Sequence, residues 1–367
     1  MRVRATVAAC AVLALADCSP GDVDDEAQGG TLTVYVSAPL RGESGEEGRA
    51  IVNGAKLALA DAGGEAGGLD VEAVYMDNTS GRDSGARWDP VVVADNARRA
   101  AQDSTAIAYI GELESGATRT SLPITNEALM LQVSAGSTAV DLVRESPASD
   151  DVPELVQPTG NRTFGRVIPD DEKQAAAGAV WADELGFDRA RVLRSPGDFS
   201  RVVGDEFAEE AEALGIALEP GGLDYVTAEA LAFPGGDRDD GDHMATDALF
   251  DAGVDGLHLT SSAQDPEQLP PAGQEFVRAY EREFGEPPDR YAAYGYEAMA
   301  VVLDSIERSV DARDRSGVID AFFATTNRDS VLGTYSIDEV GDSTLDAISG
   351  YRVEGGEPRF DSALRAP

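Results

Sequence analysis

The stretch Ala106-Ile107-Ala108-Tyr109-Ile110-Gly111-Glu112-Leu113-Glu114-Ser115-Gly116 joins an apolar run to a polar loop that contains glycine and serine. The same order recurs where Val133-Ser134-Ala135-Gly136-Ser137-Thr138 follows the apolar run Leu129–Leu131. In an open parallel α/β sheet, ligands bind beyond the carboxyl ends of the strands. A helix beginning at Ser115 would direct unpaired backbone N–H groups to that edge, where they favour a carboxylate. Because glycine and serine also form ordinary turns, each loop taken alone favours a simple connection.

Short apolar runs alternate with helical periods from Thr31 onward. This order is typical of an α/β fold in which parallel sheets are flanked by helices. The segment 144–160 is rich in Pro, Ser and Asp and lacks a period, which indicates a boundary between lobes. Strands are predicted at 31–36, 71–76, 106–110, 129–133, 190–193, 256–260, 333–337 and 347–353. Helices are predicted at 52–62, 91–102, from Ser115, near 138–143, at 171–184, through Val203, Phe207 and Leu214, through Phe276, Tyr280 and Phe284, through Met299, Val302 and Ile306, and near 318–325.

The composition limits the partners of the chain. A length of 367 residues favours two domains over one. The 29 basic and 68 acidic residues give a net charge of −39, and the lysines are Lys56 and Lys173 alone. Since nucleic acids are bound through clustered Lys and Arg, nucleic acid is excluded as a partner. We interpret the acidity as an adaptation to solubility or salt rather than as recognition of one charged ligand.

The amino terminus has the features of an export signal. Arg2 and Arg4 precede an apolar stretch over 5–16 that is too short to span a membrane. The stretch ends in Leu15-Ala16-Asp17-Cys18, which resembles the lipobox of bacterial lipoproteins, although a small residue normally stands where Asp17 does. The resemblance implies a signal peptide over 1–18 and lipidation of Cys18. Residues 19–30 are acidic, contain glycine and lack an apolar period, which predicts a flexible tether. An ordinary secretory signal cleaved nearby is the alternative.

The sequence offers few groups for catalysis or metal binding. The histidines are His243 and His258, and both cysteines lie within the first 18 residues. The chain therefore offers few residues that could form a catalytic triad or a zinc site. The acidic segment 233–242 resembles a calcium loop, but Gly241 stands where a ligand is needed. We expect no enzyme, no cofactor and no metal.

Six short motifs occur in order along most of the chain, and each is weak alone. Together they resemble the substrate-binding proteins of branched-chain amino acid ABC transporters, members of the type I periplasmic-binding-protein family. The motifs are Ala38–Gly42 with Gly48 and Asn53–Ala55, Ile110-Gly111 with Ser115, Val133–Thr138, Arg166 with Pro169-Asp170-Asp171, Phe284–Pro288 with Tyr291-Ala292, and Gly333–Asp338 with Gly341-Asp342.

The resemblance implies two Rossmann-like lobes, each a parallel sheet flanked by helices, joined by a hinge that the chain crosses three times. We expect 31–150 and 264–328 to form lobe 1, and 151–263 and 329–362 to form lobe 2. Between Phe199 and Asp237 the chain is shorter than the family by about one strand-helix unit. We therefore expect the second lobe to be shortened.

The resemblance also implies a ligand site in the cleft between the lobes. Ser115 and Thr138 correspond to residues whose hydroxyls hold the ligand carboxylate, and Ser137 lies in the same loop. Gly136 corresponds to a residue that offers its carbonyl to the ligand ammonium. Asp237 corresponds to an acidic residue of the second lobe that pairs with the ammonium; alternatively, it is one more acid in an acidic loop.

Three positions depart from the family pattern. Glu47 stands where an aromatic ligand-facing residue is common, Glu114 precedes Ser115, and Phe199 replaces a tyrosine at the start of its helix. Either Glu47, Glu114 and Asp237 adapt the cleft to a cationic or amide-bearing ligand, or they share the acidity of the whole chain. We favour the second interpretation.

The function that the resemblance implies is capture of a small polar solute by a monomeric extracytoplasmic protein. The solute would be an amino acid or a related amide or carboxylate, delivered to ABC permease subunits at a membrane to which Cys18 anchors the protein. Closure of the lobes on the solute would couple capture to a hinge motion. A sensing clamp that reports to a receptor or kinase and a degenerate clamp that no longer binds are the alternatives.

Overall fold

The predicted alternation of strands and helices is present in the computed structural model, which describes residues 26–80, 87–146, 153–190, 192, 198–218, 258–355 and 357–367. The helices are α1 Gly45–Asp61, α2 Pro90–Gln102, α3 Ser115–Glu127, α4 Pro153–Val156, α5 Asp171–Glu184, α6 Asp198–Ala213, α7 Pro271–Phe284, α8 Tyr291–Arg308 and α9 Arg315–Phe323. The strands are β1 Thr31–Ala38, β2 Glu65–Ala66, β3 Leu69–Asp77, β4 Ala106–Ile110, β5 Leu131–Ser134, β6 Phe164–Arg166, β7 Arg189–Ala190, β8 Ala217–Leu218, β9 His258–Ser261, β10 Arg328–Ser330, β11 Gly333–Tyr335, β12 Ala347–Glu354 and β13 Glu357–Arg365.

The larger sheet contains, among the described residues, six strands in the order β2-β3-β1-β4-β5-β6. All neighbours pair in parallel except β2 and β3. Every residue of β4 is buried, because helices cover both faces of a parallel sheet and a central strand then reads as one apolar run. Since parallel strands end at the same edge, the loops after β4 and β5 lie side by side, as the sequence predicted.

The helices α1 and α8 pack closely on one face of this sheet. A Cβ atom on Gly54 would lie 2.0 Å from the carbonyl oxygen of Ala292, and one on Gly295 would lie 2.2 Å from that of Ile51. Glycine at both positions therefore lets the two backbones touch. The predicted apolar face of α8 is confirmed, since Met299, Val302 and Ile306 are all fully buried there.

A second layer is built on α5 and α6. The described strands here form an antiparallel sheet in the order β13-β12-β9 and a parallel pair, β7 with β8. Parallel pairing was predicted in both lobes, and among the described strands of this layer it is seen between β7 and β8. Strand β13 was not predicted, because its residues alternate between exposed and half-buried positions as far as Ala363 and lack an apolar run. Leu214 was expected on the buried face of α6, but the helix ends at Ala213 and Leu214 is 37% exposed.

The chain passes between the larger sheet and this second layer at three segments, 167–170, 262–270 and 336–346. Strand β6 pairs with β5 of the larger sheet, although the predicted second lobe began at residue 151. Strand β11 also contacts the first layer, since the Tyr335 hydroxyl donates to Oε1 of Glu297 in α8 at 2.8 Å. We therefore propose that the second lobe begins after Arg166 and resumes near Asp342.

The predicted tether over 19–30 is wrong at its end. Ala27 is fully buried, and its N–H donates to the carbonyl oxygen of Arg313 at 2.7 Å. The N–H of Gln28 donates to the carbonyl oxygen of Ser104 at 2.6 Å. These bonds satisfy the backbone and fix residues 26–28 against the folded protein. The signal peptide, Cys18 and residues 19–25 of the tether lie outside the described residues.

Candidate functional site

Helix α3 begins at Ser115, as the sequence predicted, and it starts at the carboxyl edge of the larger sheet. Ser115 is fully buried, and its hydroxyl oxygen accepts a hydrogen bond from the N–H of Ala139 at 3.1 Å. The first polar loop is thereby tied to the end of the second. The structure thus brings together two loops that lie about twenty residues apart in the chain.

The second loop is held by its own serines. The Ser134 hydroxyl donates to the carbonyl oxygen of Glu112 at 2.7 Å and accepts from the N–H of Ser137 at 2.8 Å. The Ser137 hydroxyl lies 2.7 Å from that of Thr118 and donates to the same Glu112 carbonyl at 3.2 Å. These bonds direct the Ser137 hydroxyl toward the first loop, and its predicted role in ligand binding stays a prediction. In our interpretation Ser137 supports the loop around Thr138.

Gly136 stands at a close approach between the two loops. A Cβ atom at this position would lie 2.4 Å from Cδ1 of Leu113 and 2.8 Å from its carbonyl oxygen. A side chain here would separate the loops, so the close approach requires glycine. The predicted ligand role of the Gly136 carbonyl stays a prediction.

Thr138 lies where the larger sheet meets the second layer. It is fully buried, and its carbonyl oxygen accepts a hydrogen bond from the N–H of Asp171, the first residue of α5, at 3.1 Å. Asp170 caps this helix by accepting from the N–H of Lys173 at 2.9 Å. The predicted ligand loop is therefore attached to the start of the second layer.

A buried carboxylate, Glu112, lies beneath both loops and was not singled out by the sequence analysis. It accepts hydrogen bonds from the hydroxyl of Ser37 and the amide of Asn78, both at 2.8 Å, and from the Tyr109 hydroxyl at 2.5 Å. These partners come from the ends of three neighbouring strands. Burial raises the pKa of Glu112 to about 7, although the hydrogen bonds act in the opposite direction. An acid immediately after an apolar strand is the signal that could have revealed it.

Two of the acids that depart from the family pattern, Glu114 and Glu47, lie within the described residues. The Glu114 side chain is 3% exposed and lies 4.0 Å from Nε of Arg87, an ion pair that the sequence analysis did not predict. Glu47 is half-buried in the first turn of α1. Phe199 lies in the first turn of α6, and its side chain is outside the described part of the structure, as is Asp237. The structure thus locates Glu47 and Glu114, but not the two predicted site residues of the second layer.

The described residues contain neither a helix that could span a membrane nor a cluster that could hold a metal ion. Among them, no helix is both long enough and apolar enough to cross a membrane. No three His, Cys, Asp or Glu side chains of the described ranges are grouped so that they could hold a metal ion.

Comparison with known proteins identifies the fold through structure alone. No protein-family model matches the chain, and no curated protein matches its sequence. A leucine-binding protein, LivK, from Thermotoga maritima is 22% identical, with a TM-score of 0.67, and the match covers 91% of this chain and 99% of that one. The chain has the type I periplasmic-binding-protein fold.

Two further structures of this fold carry named ligands. A substrate-binding protein of an ABC transporter from Desulfitobacterium hafniense, in complex with Leu, is 20% identical, with a TM-score of 0.69 and coverage of 90% and 100% of the two chains. A solute-binding protein of an ABC transporter from Rhodopseudomonas palustris BisB5, in complex with 3,4-dihydroxybenzoic acid, is 17% identical, with a TM-score of 0.68 and coverage of 92% and 98%. The segment in which we predict a shortened second lobe, between Phe199 and Asp237, is described as far as Leu218, and residues 219–237 lie outside the described part of the structure.

Proposed function

We propose that this protein is the extracytoplasmic solute-binding component of an ABC transporter. The observation that carries the proposal is the pair of loops at the carboxyl edge of the larger sheet, joined by the bond between Ser115 and Ala139, with Ser115 and Thr138 both buried. A pair of hydroxyl-bearing loops at this edge suits capture of a small polar group. Delivery to permease subunits follows from the transporter class of the structures that share the fold.

We propose that the solute carries a carboxylate. The amino-terminal N–H groups of α3 point to the edge where Ser115 lies, and they favour an anion there. Leucine and 3,4-dihydroxybenzoic acid, which are named with two structures of the same fold, share a carboxylate. In this proposal Ser115 and Thr138 hold the carboxylate, and Gly136 offers its carbonyl to an ammonium where the solute has one.

The remaining predictions belong to the same proposal. Asp237 and Phe199 would contact the solute from the second lobe, Glu47 would face the cleft from α1, and lipidation at Cys18 would hold the monomer at the membrane. A sensing clamp differs from a transport protein only in its partner, so the neighbouring genes separate the two: permease and ATPase genes support transport.

A thermal-shift screen of the chain from Ser19 onward tests the proposal. The panel contains amino acids, amides, polyamines and small carboxylates, with L-leucine and 3,4-dihydroxybenzoate included. A ligand that binds only the native state raises the unfolding temperature in a dose-dependent way. The double variant Ser115→Ala with Thr138→Val should abolish the shift, whereas the control pair Ser362→Ala with Thr334→Val, on the peripheral strands, should retain it. Absence of any hit would contradict the proposal.

A further inference from the structure

Arg166, at the end of β6, holds the backbone on both sides of Thr138. Its side chain is fully buried, and Nη1 donates to the carbonyl oxygen of Ser137 at 3.2 Å and to that of Ala139 at 2.8 Å. The two carbonyls flank the residue that we propose to bind the solute carboxylate. A planar guanidinium bonded to both of them limits how the backbone at Thr138 can turn.

The guanidinium is in turn fixed by the segment that connects β11 to β12. Nε of Arg166 donates to Oδ1 of Asp342 at 2.6 Å, and the Arg166 N–H donates to the carbonyl oxygen of Gly341 at 3.0 Å. The Asp342 side chain is 5% exposed. A charge-assisted bond at such a buried position is stronger than one in water. Arg166 therefore connects the ligand loop to one of the three segments that pass between the layers.

A second arginine extends the connection to α5. Arg144 donates to Oδ2 of Asp342 and, through Nη2, to Asp170 at 3.2 Å and to Glu172 at 2.7 Å. Lys173 donates to the carbonyl oxygen of Ser343 at 2.6 Å. Burial alone would raise the pKa of Asp170, but the positive charges of Arg166 and Arg144 hold it below its ordinary value. The Asp170 carboxylate is therefore held in its ionised form by the two arginines.

We propose that Arg166, held by Asp342, is a positioning residue that sets the orientation of Thr138 toward the solute and ties that orientation to the connecting segments at 167–170 and 336–346. This inference rests on the proposed function and adds to it how the ligand loop is coupled to the layer beyond the cleft. A change in the angle between the layers moves Asp342 and α5 relative to β6. Through Arg166 and the bond from Asp171 to Thr138, that change reaches the backbone at both ends of the loop.

The choice of variants follows from the geometry. In Arg166→Lys the positive charge for Asp342 is kept, but an ammonium lacks the planar fork that bonds two carbonyls and a carboxylate at once. Asp342→Asn keeps the shape of the side chain that holds the Arg166 guanidinium and removes its negative charge. Arg328→Lys is the matched control. Arg328 lies in the hairpin of β10 and β11, away from the ligand loop, and its Nε makes a comparable bond of 2.6 Å to Oε1 of Glu297.

Hydrogen–deuterium exchange of the chain from Ser19 onward tests the positioning without any ligand. In Arg166→Lys, the amides of 134–139 should exchange about tenfold faster or more, while β1 and β3 keep their protection. Arg328→Lys should leave 134–139 unchanged. Unchanged exchange in Arg166→Lys overturns the proposal, and so does an equal increase across the whole larger sheet, which indicates general destabilisation. If Arg166→Lys does not fold, Asp342→Asn is compared with the natural protein in its place. We expect the same local increase in the exchange rate of the amides of 134–139.

A double-mutant cycle measures whether Arg166 and Thr138 act together on ligand binding. A merely structural role of Arg166 would not produce such a coupling. With L-leucine and 3,4-dihydroxybenzoate as probes, Thr138→Val should weaken binding strongly in the natural background and by less than about threefold in the Arg166→Lys background, because the two act as a unit. Equal effects in both backgrounds overturn the proposal. If neither probe raises the unfolding temperature of the unaltered protein, the proposed function loses support. The hydrogen–deuterium exchange comparison still decides the role of Arg166 in that case.

Discussion

The hydroxyl of Tyr109 donates a hydrogen bond of 2.5 Å to the carboxylate of Glu112, and both side chains are fully buried at the carboxyl edge of the larger sheet. The same carboxylate accepts from Ser37 and Asn78. Three strand ends are therefore joined by one acid, and the Glu112 carbonyl oxygen receives the serines of the second loop. The ionisation of this acid has a direct effect on stability.

Glu112 should make the protein less stable as the pH rises from about 4.5 to about 7. Its pKa is raised from 4.5 to about 7 in the folded state, so over this range the native protein binds more protons than the unfolded chain does. The contribution is complete below pH 4.5 and is lost as pH passes 7. A shift of this size corresponds to about 3 kcal/mol.

Glu112→Gln removes this dependence, because glutamine has no proton to lose and keeps an oxygen for the Tyr109 hydroxyl. Urea unfolding of both proteins at pH 5 and pH 8 measures the difference. We expect the variant to gain stability relative to the natural protein at pH 8. Equal pH dependence of the two proteins would contradict the raised pKa.

His258 should act in the opposite direction. It is 8% exposed in β9, and its ring packs edge-on against Trp181 at 4.9 Å between centroids. Burial, with the positive charge of Arg352, lowers its pKa below 6.5. The unfolded chain therefore binds the extra proton first, and stability falls as the pH drops below 6.5. Unfolding at pH 7.5 and pH 5.5 should show a smaller loss in His258→Phe, and a loss equal to that of the natural protein would count against this account.

The sequence predicted most of the larger sheet because its strands carry their own signal. A parallel strand covered on both faces is an uninterrupted apolar run, as Ala106–Ile110 is, and such a run is visible without any partner. Strand β13 carries no such run, since one of its faces is exposed, so its register depends on pairing with β12. Local pattern therefore predicted the first sheet better than the second.

The sequence predicted only those parts of the candidate site that lie within a single loop. Ser115 and Thr138 lie in loops that follow apolar strands, and the family resemblance singled them out within those loops. The roles of Glu112 and Arg166 could not be predicted in this way, because they depend on partners from distant parts of the chain. Arg166 and Asp342 are 176 residues apart and belong to two separate motifs of the sequence. One sequence gives no measure of which distant charges will meet.

Cys18→Ser tests the proposed membrane anchor. If Cys18 is lipidated, the variant should move from the membrane fraction to the soluble fraction after export, because its amino terminus then lacks the acyl chains. Fractionation of cells followed by immunoblotting measures the distribution. Cys10→Ser is the control, since Cys10 lies within the predicted signal and should leave the distribution unchanged. Retention of Cys18→Ser at the membrane would remove the lipoprotein interpretation.

Gly136→Ala tests whether the close contact of the two loops matters for binding. The added methyl group would lie 2.4 Å from Cδ1 of Leu113 and 2.8 Å from its carbonyl oxygen, so the loops must separate. Overpacking of this kind costs about 1–3 kcal/mol, and it should also reduce the thermal shift caused by L-leucine or 3,4-dihydroxybenzoate. The second substitution Leu113→Ala removes the Cδ1 contact and should restore part of the stability. A Gly136→Ala protein with natural stability and an unchanged ligand response would show that the loops can separate without cost, and Ser115 and Thr138 would then not need this contact to act on one carboxylate.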